Sequence, residues 1–256
     1  STGNYSAAMP ILKKGLAERE KLGYTHALPS GYYNIAECYQ HIGIYDTAVI
    51  YYQKSILFSK EFNDDYYLFM SLKSLNLFYS DIGNQSTALE YKNRIENKFS
   101  GYDLTTDLWL LSEYYRWKSA MFMNTAQPDS AIFHNKVCLG LLTKNEVMDF
   151  LPTITNELGT IYYQLDQQEA AHKYFQDALS LSRDMGLEGD VCKSLLHLAQ
   201  VNIKMEEIDT ALIHAENSLE LAKKNSLNNL LFDIYKTLAE INSITGNFEK
   251  ALKLRV

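Results

Sequence analysis

The chain has 256 residues, 46% hydrophobic and 21% charged, a balance that excludes a disordered tail and suits a folded protein. Its 24 Lys and Arg against 31 Asp and Glu leave a net charge of −7, and basic residues gather no further than pairs such as Lys13-Lys14 and Lys223-Lys224, so direct DNA or RNA binding by this segment is excluded. Only 12 Gly and 4 Pro are present, too few for the frequent sharp turns of an all-β chain.

From the N terminus, Tyr5, Ala8 and Leu16 predict a helix from Asn4 to about Leu22, the second half of a partial unit 1–28. Tyr32, Ile35, Ala36 and Tyr39 then follow i, i+3, i+4, i+7 spacing. Gly43 ends that helix and reverses the chain, and Ala48, Tyr52 and Ile56 recur every four residues along the next; the pair is unit 29–68. Unit 69–111 repeats the plan with Asn76, Tyr79, Gly83 and Ala88. Unit 112–151 is irregular. It follows Ser100-Gly101-Tyr102-Asp103, its first helix carries Trp109 and Trp117, and Pro128 stands where its neighbours have an aromatic. That irregularity reads either as a local change of pitch or, through the tryptophans, as a binding hot spot. Unit 152–191 returns to the pattern with Gly159, Tyr162, Ala171, Phe175 and Leu179. Unit 192–231 follows with Leu195, Leu198, Ala199, Ala211 and Leu219, and Asn202 as its polar exception. A partial unit 232–256 carries Ala239, Gly246, Phe248 and Ala251.

One beat runs through all of these. Alanine recurs at Ala8, Ala48, Ala88, Ala131, Ala171, Ala211 and Ala251, in steps of 40, 40, 43, 40, 40 and 40 residues. Five residues earlier stand Gly3, Gly43, Gly83 and Gly246; nine earlier, Tyr39, Tyr79, Phe122 and Tyr162. Twelve earlier the residues are Ala36, Asn76, Ser119, Gly159, Ala199 and Ala239, nearly all small, which lets two helix backbones approach to about 8–10 Å. The prediction is an all-α solenoid of antiparallel helix hairpins over 1–256. Neither end carries the polar cap that a repeat array needs, so the chain is expected to be a piece of a longer protein.

Chemistry is sparse. Cys38, Cys138 and Cys192 lie far apart without metal or disulfide spacing, and predict buried packing residues. The six histidines (His26, His41, His134, His172, His197 and His214) include no i, i+4 pair for a metal. No nucleotide loop or hydrolase motif appears, so neither catalytic residues nor a cofactor is expected, and the chain is read as no enzyme. A membrane span is not expected, for want of a run of about 18 apolar residues. Nothing chooses between cytoplasm and periplasm.

The strings Tyr33-Asn34-Ile35-Ala36-Glu37-Cys38-Tyr39, Gly43-Ile44-Tyr45-Asp46-Thr47-Ala48 and Tyr51-Tyr52-Gln53-Lys54-Ser55-Ile56 resemble the tetratricopeptide repeat. So do Leu158-Gly159-Thr160-Ile161-Tyr162 with Ala171, Tyr174-Phe175 and Ala178. The family's usual unit is 34 residues; the 40-residue unit here, without its closing proline, is similar to those of kinesin light chains, polarity-complex adaptors and bacterial peptide-sensing regulators. The resemblance implies a superhelix whose first helices line a concave, protein- or peptide-binding face. Its inward positions are Tyr33, Glu37, Gln40, Lys73, Arg116 and Asn156, then Thr160, Tyr163, Lys193, Gln200, Lys236 and Glu240. The carboxylate clamp of chaperone adaptors, a lysine and an asparagine four residues apart, is not matched: Lys73 is followed by Leu77, Arg116 by Ala120 and Lys236 by Glu240. The expected function is a protein- or peptide-binding scaffold, the sensing or interaction domain of a larger bacterial signalling or transcription-regulatory protein; the alternative is a structural adaptor without a sensing role.

Overall fold

A computed structural model describes residues 5–247 other than 102, 104 and 105, with every side chain among them except that of Ser6. Gly3, Phe248 and Ala251 of the predicted beat lie outside the described residues. Among those described there are helices and turns but no strand. The helices are α1 (Tyr5–Leu22), α2 (Leu28–Ile42), α3 (Tyr45–Phe62), α4 (Asp65–Asp81), α5 (Gln85–Phe99) and α6 (Leu108–Asn124). They continue as α7 (Pro128–Lys144), α8 (Leu151–Gln164), α9 (Gln168–Asp184), α10 (Glu188–Lys204), α11 (Ile208–Lys224) and α12 (Asn228–Ile244). The chain is an all-α array of helix hairpins. Its residues fall into two compact bodies that divide within α6, after Tyr114.

The helices stop where the backbone turns left-handed. Gly43 (φ 87°) closes α2, its N–H bonding back to Gln40 and Tyr39, and Gly83 (φ 77°) stands at the same place after α4. The equivalent residues of the next three hairpins are Ala126, Asp166 and Glu206, and they take the same conformation at φ 55°, 59° and 63° without glycine's freedom. The joints between hairpins behave likewise, with Gly23, Asn63, Glu146, Gly186 and Ser226 all at positive φ. Helix starts are marked by side chains that accept otherwise orphaned N–H groups. Asp64 accepts from Tyr67 N at 3.0 Å, Asn84 from Thr87 N at 3.2 Å, and Asp107 from Leu110 N at 3.0 Å. Pro128, out of pattern in the sequence, begins α7, where its missing N–H costs nothing.

In the body up to Tyr114, α1 to α5 pack in succession and α2 also touches α4. In the body from Tyr115, α7 to α12 do the same, and α8 and α12 each touch α10. The first helices of neighbouring hairpins therefore lie side by side within each body. Small residues make the crossings possible. Ala48, Ala88, Ala131, Ala171 and Ala211 are all buried, as is Gly159, where an added Cβ would sit 2.5 Å from Phe175 Cε1. Ile35, Leu75, Ile154, Leu158 and Ile234 fill the space between, each contributing about 1.5–3 kcal/mol by leaving water. All three cysteines are buried, and none is in a disulfide.

The aromatic nine residues before each alanine meets a partner three residues after it. Tyr79 stacks on Tyr91 (5.7 Å, 6°), Phe122 on His134 (5.1 Å, 8°) and Tyr162 on Tyr174 (5.2 Å, 7°), while Tyr39 and Tyr51 tilt at 5.5 Å. These pairs tie the two helices of a hairpin together beyond simple burial. In the α10–α11 hairpin the pair is Asn202 and His214, joined by a 3.3 Å hydrogen bond instead.

Candidate ligand-binding site

Of the twelve residues expected to face a ligand, four lie in the first body, where their polar groups already serve one another. Tyr33 is buried, its ring 5.8 Å from Tyr52 and 5.6 Å from Tyr67. The Tyr52 hydroxyl sits between Glu37 Oε1 and Gln40 Oε1, 2.7 Å from the latter, and Ser74 Oγ donates to Glu37 at 3.4 Å. Burial, and after it the Glu37 charge, push the Tyr33 and Tyr52 phenols well above their usual range, so both stay neutral. Lys73 pairs with Glu113 at 2.5 Å. This group is a tie between helices before it is a surface for a partner.

The second body is different. Arg116 on α6 reaches across to α8, placing Nε 2.8 Å and Nη2 2.7 Å from Glu157 Oε1. Asn156 is buried and donates to Ser194 Oγ at 2.8 Å, and Thr160 turns its hydroxyl onto the Asn156 carbonyl at 3.0 Å. Tyr163 lies under Lys204, whose Nζ is 4.2 Å from the ring centre and 2.9 Å from Asp166. Gln200 reaches Thr237 Oγ1 at 3.4 Å. Lys236 and Glu240 are exposed. Lys193 makes neither a hydrogen bond nor an ion pair among the described residues.

Arg116, Thr160 and Lys193 come together around a pocket of about 390 Å³. Its walls are α6, α8 and α10, with apolar contributions from Ala120, Met123 and Ile161. Glu157, Gln164, His197 and Asn135 also line it, and sequence reading missed all four. Asn135, on α7, is 1% exposed, and neither its amide nitrogen nor its amide oxygen has a partner. An orphaned buried polar group costs about 1–3 kcal/mol, which a ligand reaching it would recover. A signal for Asn135 was available: four residues after the framing alanine, where Tyr52, Phe175 and Ala215 are apolar or aromatic, it alone of these buried positions is an amide. His197 Nδ1 is likewise unpartnered, and the ring lies 4.8 Å from that of Phe175. Burial, and after it the charge of Lys193, hold the imidazole down at about 4, so it is neutral near pH 7.

The tryptophans part company. Trp117 is buried at 3% exposure, whereas Trp109, at 51%, borders a shallow cleft of about 370 Å³ with Tyr66, Tyr67 and Asp107 in the first body. No group of three or more His, Cys, Asp or Glu among the described residues is placed to hold a metal ion. No helix among them is long and apolar enough to cross a membrane.

Two tetratricopeptide-repeat family models match the sequence, at residues 29–61, the α2–α3 hairpin, and at 153–185, the α8–α9 hairpin. The chain contains tetratricopeptide repeats. Its sequence matches no curated protein. Solved structures of similar fold include NprR in complex with its cognate peptide NprX (17% identity, TM-score 0.63, covering 96% of this chain and 72% of that one). Aspartyl phosphate phosphatase F from Bacillus subtilis is similar over 93% of this chain and 72% of that one, at 13% identity and TM-score 0.62. A signal-transduction ATPase of the STAND class with a tetratricopeptide-repeat sensor, from Pyrococcus horikoshii, matches 98% of this chain at 17% identity and TM-score 0.61. This repeat protein spans 40% of that ATPase's length. At such identities the likeness is one of fold, and it fits a tetratricopeptide-type protein-interaction scaffold.

Proposed function

We propose that this tetratricopeptide-repeat chain is the sensing or interaction domain of a larger bacterial signalling or regulatory protein, and that it holds a peptide segment of its partner against α6, α8 and α10. The supporting observation is the pocket in which Asn135 keeps a donor and an acceptor unused at 1% exposure. A peptide carries both complementary groups at every residue, and a side-chain amide can meet them as a pair. The fold it shares with peptide-bound NprR and with the sensor of the STAND ATPase supports the same reading. The closed group around Glu37 and Tyr52 supports a rigid scaffold role for the first body, the reading under which a stable partner is held without any response to peptides. A peptide library displayed on an array tests the proposal. Binders are expected, and Arg116→Ala should weaken them about tenfold, a loss of about 1.4 kcal/mol, while exposed Lys236→Ala leaves them unchanged. A library without binders, or binders indifferent to Arg116→Ala in a variant of intact helical signal, overturns it.

A further inference from the structure

The pocket's charges do not cancel. Arg116 is matched by Glu157, with Nε and Nη2 both against one carboxylate oxygen. His197, one turn along α10 from Lys193, carries no charge near neutral pH. That leaves Lys193, which lines the pocket half-buried and makes no ion pair or hydrogen bond among the described residues. Its side chain lines the pocket with apolar Ala120, Met123 and Ile161 and has no counter-ion among the described residues. Asn135 offers an unused N–H donor in the same pocket, at 1% exposure. A carboxylate supplies Lys193 with a negative charge and the Asn135 N–H with an acceptor oxygen, leaving Asn135 Oδ1 to a backbone N–H of the same segment.

Resting on the peptide-binding reading above, we propose that this pocket selects an acidic side chain, aspartate or glutamate, within the bound segment, with Lys193 as its counter-ion and the Asn135 amide as its hydrogen-bond donor. The source is a side chain and not the peptide's C terminus for two reasons. Three successive first helices, α6, α8 and α10, wall the pocket, so a segment lying across them passes through. A terminal acidic residue would also bring two carboxylates to a pocket with a single unmatched cation.

The test uses the whole chain and array-selected peptides synthesised in matched pairs, Glu against Gln and Asp against Asn, each with a free and an amidated C terminus. The acidic member of a pair should bind about tenfold more tightly, and its advantage should shrink as salt rises from 0.05 to about 0.5 M, because screening weakens an ion pair and not a neutral contact. Lys193→Met should erase that difference by weakening the acidic member about tenfold more than the neutral one; this non-additivity is one that a general loss of folding could not produce. Amidation should leave affinity as it was. Equal binding of acidic and neutral members, or equal weakening of both by Lys193→Met, overturns the acidic-side-chain proposal while peptide binding itself stands. Affinity that depends on the free C terminus and not on the acidic residue overturns it too. If no peptide binds, both readings fail.

Discussion

Gly159 is the residue on which the α8–α9 crossing depends most directly. A methyl group there would lie 2.5 Å from Cε1 and 2.6 Å from Cδ1 of Phe175, a ring that is itself 2% exposed and has nowhere to go. Gly159→Ala should therefore cost about 1–3 kcal/mol despite alanine's better helix propensity, read as a lower melting temperature. Glu206 is the opposite case. It is exposed and held at φ 63°, where an L side chain carries roughly 1–2 kcal/mol of strain. Glu206→Gly removes that strain and gives back about 0.4–1 kcal/mol through a more flexible unfolded chain, so a net gain of about 0.5 kcal/mol is expected in denaturant titration. His197 supplies a pH dependence. Its folded value, near 4, lies below the ordinary 6.5, so between those limits the unfolded chain binds the proton more readily. Its contribution to stability is complete above about pH 6.5 and is lost as pH falls toward 4. Melting temperature should fall across that window, less steeply in His197→Gln. None of these three could be read from the sequence with certainty. A glycine inside a helix, a glutamate in a turn and a lone histidine acquire their meaning from what folds against them.

At the level of helices the sequence was far more legible. The 40-residue beat of alanines, the small residues twelve before them and the glycines five before them all mark a chain folded back on itself at fixed intervals, and α2 to α11 form such hairpins. What the beat concealed was its own completeness. Glycine marks the turn at Gly43, Gly83 and Gly246, but Ala126, Asp166 and Glu206 make the same turn, because helix packing on both sides imposes a conformation that local propensity resists. The aromatics nine before the alanine were visible; their partners three after it were masked, since Tyr51, Tyr91 and Tyr174 share that position with His134 and His214. That pairing carries a measurable energy. A double-mutant cycle on Tyr162→Ala and Tyr174→Ala should return a coupling of about 0.5–1.5 kcal/mol, and the same cycle on exposed Lys236 with Tyr174 should return none.

Across the whole chain, family and fold class could be read from repetition, while the site could be read only in part. Position in the repeat singled out Arg116, Thr160 and Lys193, which do meet at one pocket, yet it gave equal weight to Tyr33, Glu37, Gln40 and Lys73, whose polar groups are taken up by Tyr52, Ser74 and Glu113. The difference lies in neighbours 12 to 40 residues away, which a register cannot weigh. The uniform left-handed joints carry a practical consequence. Asp166 and Glu206 stand 40 residues apart with φ of 59° and 63°, so a polypeptide in which Asp166 is followed directly by Glu207 would rejoin two like-shaped ends after losing two helices, α9 and α10, and would close α8 onto α11. Excision of 167–206 amounts to removing a link from a chain of standard fittings, and a shortened, still cooperative product would make the length of this protein an adjustable dimension.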